Sequence, residues 1–163
     1  VLNIEPENID ACMGRARCYR AQKKWLKAIE ACDQAIQLKP DGADAFRLRG
    51  DCRVALDDFQ GALEDYNHSV KMEPSCSLTF YARGFMYFKR GHHVEALADM
   101  NECIRKNQKW GTPFLCRGDI YIAMKDYKTG LSNYQMAEER FRKQGNRKMQ
   151  YVARKACERV FSA

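Results

Sequence analysis

The sequence predicts an all-α solenoid of four 34-residue helix-turn-helix units followed by one closing helix. Three observations carry that expectation. Phe46-Arg47-Leu48-Arg49-Gly50, Phe80-Tyr81-Ala82-Arg83-Gly84 and Phe114-Leu115-Cys116-Arg117-Gly118 align without a gap at intervals of 34 residues. Pro6, Pro40 and Pro74 recur at the same interval, with Gln108 in the next slot. Each interval holds two stretches of helical periodicity around a short polar break. Ten glycines and four prolines in 163 residues are few for an all-β chain.

Taken in order, Val1 to Pro6 reads as the last turns of a preceding second helix, because Pro6 is in phase. Residues 1–8 are therefore expected to end a preceding repeat, in a chain cut from a longer array. The units that follow are 9–42, 43–76, 77–110 and 111–144, and Cys12-Met13-Gly14-Arg15-Ala16 is a weaker copy of the recurring segment in the first. Polar breaks fall at Gln22-Lys23-Lys24, Asp57-Asp58, Arg90-Gly91-His92 and Lys125-Asp126. A ring follows three of them (Trp25, Phe59, Tyr127), with His93 in the remaining slot. Three residues later stand Ala28, Ala62, Ala96 and Gly130, small enough for two helices to approach while the ring fills the corner. Pro40 and Pro74 then end the second helices of their units by breaking the hydrogen-bond ladder. Gly145-Asn146 interrupts the last of them, and Met149, Val152, Ala153, Ala156 and Val160 recur at helical spacing. Residues 145–163 are thus expected to form a basic capping helix over the end of the core.

The pattern resembles the tetratricopeptide repeat over roughly residues 9 to 142. That family places a large apolar residue fourth, a small one eighth and tyrosine eleventh; alanines follow at the twentieth and twenty-seventh positions, an aromatic at the twenty-fourth and proline at the thirty-second. Tyr19, Tyr87 and Tyr121 fill the eleventh slot. Departures are Cys12 for the first apolar ring, Arg53 for tyrosine, His93 in the corner and Gln108 for proline. The resemblance implies a right-handed superhelix that serves protein–protein interaction.

Composition narrows the function. Lys and Arg number 28 against 21 acids, for a net charge of +7. Eight of those cations and a single acid, Glu158, lie in residues 140–163, so residues 1–139 are neutral. A nucleic-acid reading of the repeats is disfavoured accordingly. The mean hydropathy is −0.61 and no apolar run is long enough to span a membrane. Eight cysteines without metal-ligand spacing read as reduced core thiols, which points to a reducing compartment: cytoplasmic, with ciliary or nuclear sites open. No phosphate loop, nucleophile elbow or zinc-protease motif is present, so neither catalysis nor a cofactor or metal is expected. Arg117-Gly118-Asp119 spells an adhesion tripeptide, but Arg49-Gly50-Asp51 and Arg83-Gly84-Phe85 place it mid-helix in the repeat frame.

Arg15, Arg49, Arg83 and Arg117 form a ladder, one rung per repeat, with Asp65 and Asp99 at the matching second-helix position. Structural pairing is the preferred role, with an acidic ligand as the alternative. The family's concave face, carried over position by position, gives a partner-binding groove. Arg17, Arg20, Arg47 and Asp51 lie at one end, and Tyr81, Phe85, Phe88, Leu115, Asp119 and Ile122 at the other. The expected ligand is a partner peptide or helix, with acidic residues facing the arginines. The carboxylate clamp for Hsp70 and Hsp90 tails is missing in either frame, so that partner is disfavoured. Arg147, Lys148, Arg154, Lys155 and Arg159 form the basic cap, read first as a solvated face. Two alternatives stay open: the cap docks nucleic acid or anionic phospholipid, or the repeats act as a co-chaperone or adaptor spacer in a larger assembly.

Overall fold

A computed structural model describes residues 8–161. The expected repeat end at Val1 to Pro6 lies outside them. The described residues contain helices and no strand. In chain order the helices are α1 (Ile9–Ala21), α2 (Trp25–Leu38), α3 (Ala43–Ala55), α4 (Phe59–Met72), α5 (Ser77–Lys89), α6 (His93–Lys106), α7 (Gly111–Ala123), α8 (Tyr127–Lys143) and α9 (Arg147–Phe161). None of them is long and apolar enough to cross a membrane. The chain divides into two compact units, up to Ala82 and from Arg83 onward, with the boundary inside α5.

Each polar break expected between paired helices is a turn through the left-handed region. Lys23 (φ 57°), Asp57 (φ 61°), Gly91 (φ 78°) and Lys125 (φ 65°) reverse the chain, and Gly145 (φ 67°) does so before α9. Three of the five are not glycine, a local cost of about 1 kcal/mol each that the flanking packing offsets. Side chains cap the next helix at several of these corners. Asp58 accepts from Gly61 N at 3.0 Å, Asp126 from Thr129 N at 3.1 Å and Asn146 from Met149 N at 3.1 Å. Pro40 and Pro74 follow the ends of α2 and α4, yet α6 stops in the same register where Gln108 stands instead. The turn closed by Trp110 N on Asn107 O at 3.3 Å ends α6 without a proline.

In the first unit, α1, α2 and α3 bury Cys12, Met13, Ala16, Ala31, Cys32, Ala35, Ala45 and Leu48. Ala28, Ala62 and Ala96 are fully buried at the small-residue slot. In the second unit, Phe114, Ala137, Phe141 and Ala153 form a core between α7, α8 and α9, so α9 seats Ala153 and Met149 of its expected stripe on α8, while Val152 is 40% exposed. Gly118 lets α7 close on α8: a Cβ there would fall 2.5 Å from the Tyr134 ring. The corner rings differ among themselves, for Trp25 and Phe59 are half-buried while Tyr127 keeps half its surface in solvent.

Candidate functional site

The first unit gathers an arginine-bearing face from three helices. Asp44, Arg47 and Asp51 are spaced three and four residues apart along α3, which sets them on one side of that helix. Arg47 Nη2 donates to Asp44 Oδ1 at 2.9 Å, and Arg47 Nη1 donates to Asp51 Oδ2 at 3.4 Å. From α1, Arg17 Nη2 reaches Asp44 Oδ2 at 3.4 Å and Arg20 Nη1 lies 3.8 Å from Asp51 Oδ2. From α4, the buried Tyr66 donates its hydroxyl to Asp51 Oδ1 at 2.9 Å. Burial holds the Asp51 carboxyl above its ordinary value, against the opposing pull of Arg47, Tyr66 and Arg20. Arg47 Nε is buried with no acceptor among the described residues. Three guanidinium groups thus face two carboxylates, and the side chains of Arg17 and Arg20 remain 58% and 48% exposed. Beside them an open pocket of about 440 Å³ is lined by Ile9, Met13, Arg17, Lys39 and Asp44, among others. Tyr81 is half-buried in the same unit.

Of the two α5 rings expected in the groove of the second unit, Phe85 is the more accessible, 39% exposed, with Lys89 Nζ 5.4 Å from its centroid. Phe88 is half-buried, its ring 6.0 Å from that of His93. Asp119 is exposed and accepts the Tyr134 hydroxyl at 2.7 Å. Partial desolvation raises its carboxyl, against the pull of Tyr134 and Lys89. Leu115 packs on the Phe114–Phe141 core, and Ile122 lies against Gly130 of α8. Both therefore spend much of their apolar surface inside the fold, leaving Phe85, Lys89 and Asp119 as its open groups.

The arginine ladder is engaged within the chain. Arg49 binds Asp65 through Nε (3.0 Å to Oδ2) and Nη2 (2.6 Å to Oδ1), and Asp33 through Nη1 at 2.6 Å. Arg83 forks onto Asp99 at 2.8 and 2.7 Å. Arg117 meets amides in place of carboxylates, Asn133 and Asn101, each at 2.7 Å. Burial accordingly lowers its proton affinity, whereas hydrogen bonds to Asp99 raise that of Arg83. Arg15 has Ala31 where a partner would stand and turns to Gln34 at 2.6 Å.

On α9, Arg154 is held by Glu138 at 3.0 Å and Lys155 by Glu158 at 2.6 Å. Arg147, Lys148 and Arg159 are exposed and make no ion pair among the described residues. Of the eight thiols, Cys12, Cys32, Cys52, Cys103 and Cys116 are buried. Burial pushes Cys32 and Cys116 up to about 12, which keeps both protonated and unreactive.

Sequence reasoning missed the tyrosine–aspartate pairs that tether the groove carboxylates. Their signal was available: Asp51 with Tyr66 and Asp119 with Tyr134 share one spacing and one place in the repeat frame.

Residues 16–79 match the tetratricopeptide-repeat family. No curated protein matches the chain. Among solved structures, a crystal structure of MamA is 18% identical with a TM-score of 0.79, covering 89% of this chain and 85% of that one. YrrB, described as a tetratricopeptide-repeat protein with an unusual peptide-binding site, is 18% identical with a TM-score of 0.73, covering 94% of this chain and 78% of that one. The TPR2B domain of yeast Sti1, in a complex with pHsp70, is 21% identical with a TM-score of 0.69, covering 74% of this chain and 96% of that one. At these identities the likeness establishes the fold.

Proposed function

We propose that this chain, which belongs to the tetratricopeptide-repeat family by its matched segment and its fold, is a non-catalytic interaction module that binds a partner peptide or helix. The first-helix faces are the binding surface. Arg17, Arg20 and Arg47 select acidic residues of the ligand, while Phe85, Phe88, Leu115 and Ile122 anchor apolar ones. YrrB and the Sti1 domain, whose descriptions name a peptide site and a bound pHsp70, lend support by fold alone. The observation that carries the reading is the unequal charge on α1 and α3: three guanidinium groups share two carboxylates, and Arg47 Nε is a buried donor without an acceptor. An incoming carboxylate would supply the missing negative charge. Tails of Hsp70 and Hsp90 are not proposed, because the clamp residues that bind them are missing here. Nucleic acid is not proposed either, because residues 1–139 carry no net charge.

A phage-displayed random peptide library selected on the full chain tests this. Ligands rich in acidic and apolar residues are expected. Their affinity should fall about tenfold on Phe85→Ala with Phe88→Ala, and should lose much of its salt dependence on Arg17→Gln with Arg20→Gln. Selected peptides that bind both folded variants as tightly as the parent would sink the proposal.

A further inference from the structure

The end of α8 forms a second, separate cationic feature. A cavity of about 410 Å³ opens among Gln108, Lys109, Arg140, Lys143 and Gln144. Its walls are mostly apolar although every lining residue is a cation or an amide, as expected where alkyl stems form the sides and charged ends the rim. The site is held in shape. Gln144 Nε2 donates to the Lys109 carbonyl at 2.5 Å, and Arg140 Nε donates to the Gln108 carbonyl at 3.3 Å. The Arg140 guanidinium carbon lies 4.5 Å from the ring centroid of the buried Phe114. Glu139 is the acid that meets these cations, 2.8 Å from Lys143 Nζ and 3.6 Å from Arg140 Nη1. Among the described residues, Lys109, Arg140 and Lys143 against Glu139 leave two positive charges uncompensated.

A second observation points the same way. The first turn of α9 follows directly, and it carries Arg147 and Lys148 with no acid. Helix N-termini favour negative charge, so two cations there run against the helix dipole and raise the positive potential of that turn, although neither residue lines the cavity. We propose that this pocket binds a phosphomonoester group. Such a group carries close to two negative charges at neutral pH and three acceptor oxygens, matching two uncompensated charges and three cationic ends. A carboxylate would neutralise only one of them. A nucleic-acid strand offers one charge per phosphate and would need stacking rings, none of which lines the cavity.

Inorganic phosphate is the first probe, titrated into the isotope-labelled full chain at constant ionic strength while amide resonances are followed. Saturable shifts are expected at Lys109, Arg140, Lys143 and Gln144. Binding should be tighter at about pH 7.5 than at about pH 5, on either side of the second phosphate ionisation near about 6. The exposed double variant Lys109→Gln with Lys143→Gln should bind about tenfold more weakly; Lys109→Gln alone serves if the pair lowers helicity. Vesicles of phosphatidylcholine with phosphatidic acid identify the source. Co-sedimentation lost in the double variant assigns the site to a lipid headgroup, and phosphate binding without co-sedimentation assigns it to a soluble ester. Shifts that never saturate, shifts as large at Arg154 and Arg159 as at Lys143, or a double variant that titrates like the parent would overturn the proposal.

Discussion

Gly118→Ala tests whether helix contact at the small-residue positions holds the fold together. A methyl group at Gly118 would sit 2.5 Å from both Cδ1 and Cε1 of Tyr134 and 3.2 Å from the Gly130 carbonyl. Carbon atoms repel strongly below about 3.5 Å. The ring cannot swing aside, because Tyr134 is buried and its hydroxyl is bound to Asp119 at 2.7 Å. Either α7 and α8 separate or that hydrogen bond breaks. Overpacking costs about 1–3 kcal/mol and a lost hydrogen bond about 1 kcal/mol, while alanine regains about 1 kcal/mol over glycine in a helix. The net expectation is a loss of about 1–3 kcal/mol. Gly14 in α1 supplies the contrast, since a Cβ there meets nothing within 4 Å among the described residues. Gly14→Ala should therefore stabilise by about 0.5–1 kcal/mol. Urea denaturation followed by circular dichroism should show midpoints moving in opposite directions. Midpoints that move the same way, or an unchanged Gly118→Ala, would refute close helix approach as the reason for glycine at that slot.

Three further outcomes are expected. Asp99→Asn removes the charge and one oxygen from the fork onto Arg83 in a nearly water-free setting, and should cost about 1–3 kcal/mol in the same urea assay. Asp51 has its carboxyl raised by burial, so the native state keeps that proton to higher pH than the unfolded chain does. Its contribution is then present at low pH and is lost as pH rises through the folded-state value. Melting temperatures of Asp51→Asn relative to the parent should accordingly rise between about pH 4 and pH 7. Among the thiols, Cys18 is exposed while Cys12, Cys32, Cys52, Cys103 and Cys116 are buried. Maleimide labelling read by mass spectrometry should modify Cys18 first in the native protein and those five only after denaturation.

The helices were legible because they follow from period and breakers. Ala28, Ala62 and Ala96 announce the buried stripe, and Gly145-Asn146 announces the last corner. Positive φ at Lys23 and Lys125 was not legible, since lysine carries no local preference for that region; the packing of the flanking helices imposes it. The bidentate pairs of Arg49 and Arg83 followed from matching positions within one unit. The second bond from Arg49 to Asp33 did not, because it joins a residue to the second helix of the preceding unit, a contact that spacing within a repeat does not reveal. The same limit applies to the candidate face. The resemblance to the repeat family implied that Arg17, Arg20, Arg47 and Asp51 share the groove face of α1 and α3, but not how their charges would be shared. Ile122 shows the converse: its position in the frame suggested an open anchor, while the missing side chain of Gly130 draws it against α8.

Mapping a selected peptide on the full chain by hydrogen exchange tests the proposed binding surface most directly. Protection should appear on the first helices, at Arg17 to Ala21 and Arg47 to Ala55 in the first unit and at Phe85 to Lys89 and Leu115 to Ala123 in the second. Protection confined to the second helices, around Lys71 or Arg105, or to α9 beyond Arg147, would contradict the assignment of binding to the first-helix faces.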